Sequence, residues 1–229
     1  PTLAWYADEF WEWRAGENCW TKVSDKALRA RVLGWCGQRD PDVRPRYVRD
    51  VFEYMQSILM LPSQTEQPSW LNGAKRQDRP PAKEIIAARN CLIHPPTLFA
   101  AGVGVQGSTI EKTPAFFSAN AMSYDFHPDA PEPTAWLAFL RKIWEHDSES
   151  IDTLQEWMGY ILTPDTRQQK VLFMFGPQAA GKGTIMYVME QLVGERNSHS
   201  AGLAAMASQF GSEPLRGKLL CLVPDPKIG

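Results

Sequence analysis

Apolar residues along this chain alternate between short strand-like runs and longer helical stripes. Near the N-terminus, residues 3–6, 9–13 and 19–23 form three short aromatic-rich runs separated by turn-forming residues. This arrangement predicts a small β-meander. Ser24 follows the third run and is a candidate N-cap for a helix.

Two pairs of helices are predicted from apolar residues at helical spacing. The first pair lies on either side of a proline-containing break at 41–45, and we expect its two helices to pack together. The second pair ends at Pro164, and we expect it to cover one side of a sheet. The apolar positions are Leu28, Val32, Trp35, Cys36, Val48, Val51, Phe52, Met55, Ile58 and Leu59 in the first pair, and Trp136, Leu137, Leu140, Ile143, Trp144, Ile151, Leu154, Trp157, Met158 and Ile161 in the second.

The middle of the chain predicts less regular structure. Residues 62–81 are rich in Ser, Gln, Pro and charge, which is typical of a loop or linker, and we interpret the basic Lys75, Arg76 and Arg79 as solvated. Residues 84–93 predict a strand, and the glycine-rich stretch 102–108 predicts a turn.

A strand, a loop and a helix follow one another from residue 170, and this order points to a phosphate-binding loop. Residues 171–175 are uninterrupted apolar, as in a parallel strand covered on both faces. Ile185, Val188, Met189 and Leu192 then recur at helical spacing, and Gly194 can end that helix. In such a loop, glycines let backbone N–H groups surround phosphate oxygens, and Lys182 adds a positive charge. The candidate nucleotide-binding residues are Gly176, Pro177, Gln178, Ala179, Ala180, Gly181, Lys182, Gly183 and Thr184.

The loop departs from the common pattern at the residue after the lysine. A Ser or Thr there usually helps to hold Mg²⁺, but this chain has Gly183, and the hydroxyl comes one residue later at Thr184. Thr184 is better placed for the α-phosphate, although it stays a candidate metal ligand. Asp225 follows a second apolar run, 219–223, and is the candidate metal-facing acid. The alternative is an ordinary Pro-Asp-Pro turn.

Composition is that of an ordinary globular protein. The chain has 229 residues, of which 44% are apolar and 22% charged, and its net charge of −2 does not indicate a domain that coats nucleic acid. The widely spaced Cys19, Cys36, Cys91 and Cys221 favour reduced thiols, mostly in the core, rather than a metal site. We found neither a membrane-spanning stretch nor an export signal, so we expect a cytoplasmic protein.

The chain resembles phage and plasmid primase-helicases, which join a poxvirus-type primase-associated region to a superfamily 3 helicase domain. The likeness covers most of the chain and is strongest after residue 113. It is carried by residues 124–131, 136–144, 154–160, 169–173 and 176–184, and also by 89–90, 113–117, 210–211 and 215–219.

This resemblance implies an AAA+-type ATPase that binds ATP and Mg²⁺ and moves along single-stranded DNA. It also implies a homo-oligomeric ring, commonly a hexamer, in the parent protein, with other replication proteins as possible partners. Lys182 corresponds to the phosphate-contacting lysine, Thr184 to the hydroxyl after it, and Asp225 to the metal-facing acid. In that family, the sensor residue and the arginine finger follow the second strand of the nucleotide-binding domain, which corresponds to residues 219–223 here. We therefore expect a fragment that is inactive alone, with any primase module preceding Pro1.

Two other functions stay open. A phosphotransferase resembling adenylate kinase shares the Gly-Lys-Gly-Thr ending, but those kinases carry the loop near the N-terminus. A non-enzymatic replication or oligomerisation module could hold nucleotide as a structural ligand. The expected fold is α/β, with a small, mostly helical α+β region at 1–125 and the first part of a nucleotide-binding domain at 126–229. Its central feature is parallel pairing of the strands at 171–175 and 219–223, with a helical stretch near 203–210 between them.

Overall fold

A computed structural model describes residues 2–40, 42, 44–71, 79–101 and 109–224, and within them the chain is a mixed α/β protein. The helices are α1 (Asp25–Gly37), α2 (Pro45–Leu59), α3 (Pro95–Ala101), α4 (Thr134–Ile143), α5 (Ser148–Tyr160), α6 (Lys182–Val193) and α7 (Leu203–Met206). The strands are β1 (Leu3–Tyr6), β2 (Glu9–Arg14), β3 (Cys19–Val23), β4 (Ser69–Trp70), β5 (Ile86–Ala87), β6 (Cys91–Ile93), β7 (Thr109–Glu111), β8 (Phe116–Phe117), β9 (Ser198–Ser200) and β10 (Leu220–Leu222).

The N-terminal meander forms as predicted. Strands β1, β2 and β3 pair antiparallel in chain order. The Ser24 hydroxyl accepts a hydrogen bond from the Ala27 N–H at 3.3 Å, which satisfies one of the unpaired donors at the start of α1. Phe10 of β2 packs edge-to-face on Phe52 of α2 with their ring centres 4.8 Å apart, so the first helix pair is joined to the sheet through a buried aromatic contact.

The first two helices contact each other but bury less of their apolar stripes than expected. The Arg29 guanidinium of α1 lies 4.0 Å from the centre of the Phe52 ring of α2. Leu28, Val48 and Phe52 are buried, whereas Trp35 is 57% and Ile58 58% exposed. The meander has three short strands, and it covers only the part of each stripe that lies directly over it.

The predicted strand at 84–93 is wrong, because the structure places a hairpin there. β5 and β6 pair antiparallel, and β7 adds to the other side of β6. Arg89 and Asn90 occupy the turn and bind a later segment of chain. Arg89 Nε donates to Asp125 Oδ1 at 2.8 Å, and the Asn90 side chain makes two hydrogen bonds with the backbone of Phe126. The turn is therefore held by contacts that are distant in sequence.

The predicted loop at 62–81 is broken by the short strand β4, which pairs with β8. Within that loop Arg79 is not simply solvated, because its guanidinium lies 4.6 Å from the centre of the Trp70 ring. Lys75, Arg76 and the predicted turn at 102–108 lie outside the described residues.

The C-terminal half builds its core from three helices and one strand. Leu140 of α4, Leu154 of α5, Ile185 and Met189 of α6, and Leu220 of β10 form one buried cluster. The second helix pair and α6 match their predicted positions, and Gly194 ends α6 with a φ of 86° that favours glycine. None of the helices within the described ranges is long and apolar enough to span a membrane.

Two features of this half differ from the prediction. Residues 171–175 do not form a strand in the described part of the chain, so the expected parallel P-loop sheet is not shown. β10 pairs in parallel with β9 instead. The polar sequence of β9, Ser-His-Ser, carries no apolar run, which is why its pattern did not predict a strand. The helix expected near 203–210 is limited to the four residues of α7.

Candidate functional site

The candidate phosphate loop connects the segment 170–176 to the start of α6. Leu172 and Met174 pack against the core cluster below, while Val171, Phe173 and Phe175 are 86%, 64% and 94% exposed. The side chains therefore alternate between core and solvent, as they would in a strand covered on one face. Leu172 and Met174 therefore anchor this segment to the core cluster.

The loop itself turns through two residues with positive φ. Ala179 has φ 60° and Gly181 has φ 84°. An L-residue such as Ala179 in this region costs about 1–2 kcal/mol, so the loop stores some strain. Gly181 then serves as the N-cap of α6, and it has no side chain with which to cap the helix. The N–H groups of the first helical turn have no intrahelical acceptor, which leaves donors and the positive end of the helix dipole available to an anion.

Lys182 closes the loop on itself. Its Nζ donates to the carbonyl oxygens of Gly176 and Pro177, both at 2.7 Å. The half-buried lysine thus reaches across the mouth of the loop from the first residue of α6. A phosphate between the loop and the helix would offer the ammonium a charged acceptor in place of these neutral carbonyl oxygens, and charge-assisted hydrogen bonds are the stronger kind.

Helix α4 packs directly against Gly181 of the loop. A methyl group at Gly181 would lie 2.8 Å from Ile143 Cδ1 and 3.0 Å from Phe139 Cζ. Both distances are shorter than a normal carbon–carbon contact of about 3.5–4.0 Å. Glycine is therefore required at position 181 for two reasons, the backbone conformation and the close approach of α4.

A large cavity of about 1450 Å³ opens between the loop, the segment 170–176 and β10. Its charged lining residues are Lys170, Lys182, Lys218 and Asp165. Asp165 is paired with Arg167, whose Nε and Nη2 donate to its two carboxylate oxygens at 2.7–3.0 Å. These hydrogen bonds lower the pKa of Asp165 to about 2, so this carboxylate is ionised and compensated at neutral pH. Of the three lysines, Lys182 lies at the loop, whereas Lys218 Nζ donates to the carbonyl oxygen of Arg196.

Most of the predicted site residues lie in one continuous segment of the structure. Gly176 to Thr184 form one continuous loop and helix start, with Gly183 and Thr184 exposed. Asp225, the candidate metal-facing acid, lies outside the described residues. Within the described ranges, we found no group of three or more His, Cys, Asp or Glu side chains that could hold a metal ion.

Sequence reasoning missed the neighbours that the loop acquires through folding. Lys170 and Lys218 reach the cavity from segments 48 positions apart. Phe139 was not singled out, although its spacing of three from Trp136 places both on one face of α4. That spacing was the available signal, but nothing in the sequence indicated that this face meets Gly181.

Comparison with known proteins adds no relative. No protein-family model matches the chain, and a search of curated proteins found no significant match.

Proposed function

We propose that this chain binds ATP at the loop 176–184 as part of the helicase unit of a phage, prophage or plasmid primase-helicase. The observation that carries the proposal is the closed loop in front of α6, in which Lys182 bridges two loop carbonyls beside uncapped helical N–H groups. Neutral acceptors hold the ammonium where phosphate oxygens would bind it more strongly. The resemblance in sequence supports the wider assignment.

The loop offers a triphosphate two kinds of positive partner. The helix start supplies backbone donors and the dipole, and Lys182 supplies a positive charge. Asp165 is neutralised by Arg167 and does not oppose this field. The arrangement favours a polyanion at the loop over a neutral ligand.

Mg²⁺ would be held mainly by the phosphates and water. Gly183 carries no hydroxyl, so Thr184 and Asp225 are the protein groups proposed to approach the metal. In the parent protein, the proposal extends to ATP hydrolysis, a homo-oligomeric ring and movement along single-stranded DNA. These properties follow from the resemblance.

Titration calorimetry with ATP and ADP, with and without Mg²⁺, tests the binding step. We expect the chain to bind ATP and Lys182→Ala to lose at least about tenfold in affinity, because one charge-assisted contact is worth about 1.5–3 kcal/mol. Lys170→Ala is the matched control, since it removes the same charge from the same cavity but not from the loop.

The outcome separates the competing functions. Absence of ATP binding by the unaltered chain, or equal losses in the two lysine variants, would contradict a working phosphate loop. ATP turnover that rises with AMP would favour the phosphotransferase, whereas stimulation by single-stranded DNA would favour the helicase. DNA binding that persists in Lys182→Ala and ignores ATP would favour the non-enzymatic module.

A further inference from the structure

An aromatic pair on α4 lies against the phosphate loop. Trp136 and Phe139 stack with their ring centres 5.5 Å apart and their planes at 24°. They are one helical turn apart, which places them on one face of the helix. Both side chains are half-buried, so each keeps part of its surface available.

Phe139 joins this pair to the loop. Its Cζ would lie 3.0 Å from a methyl group at Gly181, so the ring rests against the backbone of the residue that precedes α6. Ile143 contacts the same glycine from the next turn of α4. The packing of Phe139 and Ile143 against Gly181 thus fixes the position of the aromatic pair relative to the loop.

A nucleotide whose phosphates occupy the loop has its base one sugar away from the α-phosphate. The base must therefore settle on a surface that adjoins the loop. The near-parallel rings of Trp136 and Phe139 offer a flat apolar platform there, and a flat base can extend the stack in the offset arrangement that aromatic rings prefer. The other aromatic pair near the site, Trp157 and Tyr160 of α5, lines the cavity, but its planes meet at 56° and its rings do not form a parallel stack.

We propose that the α4 aromatic pair, Trp136 and Phe139, is the base-binding part of the nucleotide site and receives the base by stacking. The proposal rests on the proposed function, because the loop must first hold the phosphates. It assigns nucleotide recognition to two parts of the chain. Lys182 and the start of α6 bind phosphate, and α4 binds the base.

The test compares ATP with inorganic tripolyphosphate, which has phosphates but no base, by calorimetry on the unaltered chain and on variants. We expect ATP to bind more tightly than tripolyphosphate. Trp136→Ala should weaken ATP binding by about 5- to 150-fold, the usual range for loss of one base–aromatic stack, and leave tripolyphosphate binding unchanged. Trp136→Phe keeps an aromatic ring and should restore most of the ATP affinity.

Three controls keep the test specific. Lys182→Ala should weaken both ligands, and Trp35→Ala, which removes an exposed tryptophan from α1, should weaken neither. Phe139→Leu repeats the test at the second ring while keeping an apolar side chain against Gly181. Circular dichroism of each variant verifies that it is folded.

The results distinguish the two proposals. If neither ATP nor tripolyphosphate binds the unaltered chain, the phosphate loop itself fails. If both bind equally, or if Trp136→Ala lowers both affinities together, the loop is supported and the base platform is overturned. Unchanged ATP binding in both Trp136→Ala and Phe139→Leu would also overturn it.

Discussion

Replacing Gly181 by alanine tests the central geometry of the site without any ligand. Gly181 has φ 84° and ψ 0° at the start of α6, in the left-handed region that an alanine adopts at a cost of about 1–2 kcal/mol. The new methyl group would also lie 2.8 Å from Ile143 Cδ1 and 3.0 Å from Phe139 Cζ. The strained backbone conformation and the steric clash therefore both destabilise the Gly181→Ala variant.

The expected loss in free energy of unfolding is about 1–4.5 kcal/mol. Crowding of this kind in a packed region costs about 1–3 kcal/mol, which adds to the backbone term. The gain from restricting the unfolded chain, about 0.4–1 kcal/mol, offsets part of the sum. Rotation of Ile143 or a small shift of α4 would place the result near the lower end.

Urea unfolding at 25 °C, followed by tryptophan fluorescence and circular dichroism, measures this change. Gly183→Ala is the matched control, because its methyl group would have no atom within 4 Å and its φ lies outside the left-handed region. As an alanine inside a helix it should stabilise the chain by about 0.5–1 kcal/mol. If Gly181→Ala is as stable as Gly183→Ala, both the turn and the α4 contact are incorrectly described.

A double variant separates the two penalties. Ile143→Val deletes Cδ1, the atom closest to the new methyl group, and on its own should cost about 0.5–1.5 kcal/mol. Combined with Gly181→Ala, it should cost less than the sum of the two single variants, because the clash is relieved. Additive losses would place the whole effect in the backbone and refute the close approach of α4.

Three further predictions concern parts of the chain around the loop. Burial raises the pKa of Tyr124 to about 12, so as the pH rises this tyrosine ionises in the unfolded chain before it ionises in the folded one. The free energy of unfolding should therefore fall between pH 10 and 12. Urea unfolding should show this fall for the unaltered chain and a shallower fall for Tyr124→Phe. Hydrogen bonds from Arg167 lower the pKa of Asp165 to about 2, so the ionised carboxylate stabilises the folded chain above pH 4 and this stabilisation is lost as the pH falls towards 2. Asp165→Asn should make the free energy of unfolding less dependent on pH in this acid range. Parallel profiles for the variant and the unaltered chain would contradict the pairing. Phe175→Ser should change the free energy of unfolding by less than about 0.5 kcal/mol, because that side chain is exposed. Leu172→Ser should lower it by about 2 kcal/mol or more, because Leu172 packs against the core cluster. Similar losses in both variants would indicate that residues 171–175 are covered on both faces, as the sequence predicts.

Elements that depend on neighbouring residues were predictable from the sequence. The three strands of the meander, the Ser24 cap, the second helix pair and α6 with its terminal Gly194 all appear where local patterns place them. Apolar periodicity, capping hydroxyls and glycines act over a few residues, so a linear pattern contains the information. The loop 176–184 belongs to this class, because its composition alone indicates a turn before a helix.

Features that depend on contacts between distant segments became visible only in the tertiary structure. The apolar run 171–175 has the composition of a buried strand, yet in the described chain it is covered on one face and β10 pairs with the polar β9. Strand pairing depends on backbone hydrogen-bonding groups that folding brings together from distant positions. An apolar run of side chains does not specify which strand will be the partner. In the same way, the sequence of α4 predicts an amphipathic helix, but only packing places Phe139 and Ile143 against Gly181. The proposed phosphate loop follows from the local sequence, whereas the packing of α4 beside that loop is created by contacts between segments about 40 positions apart.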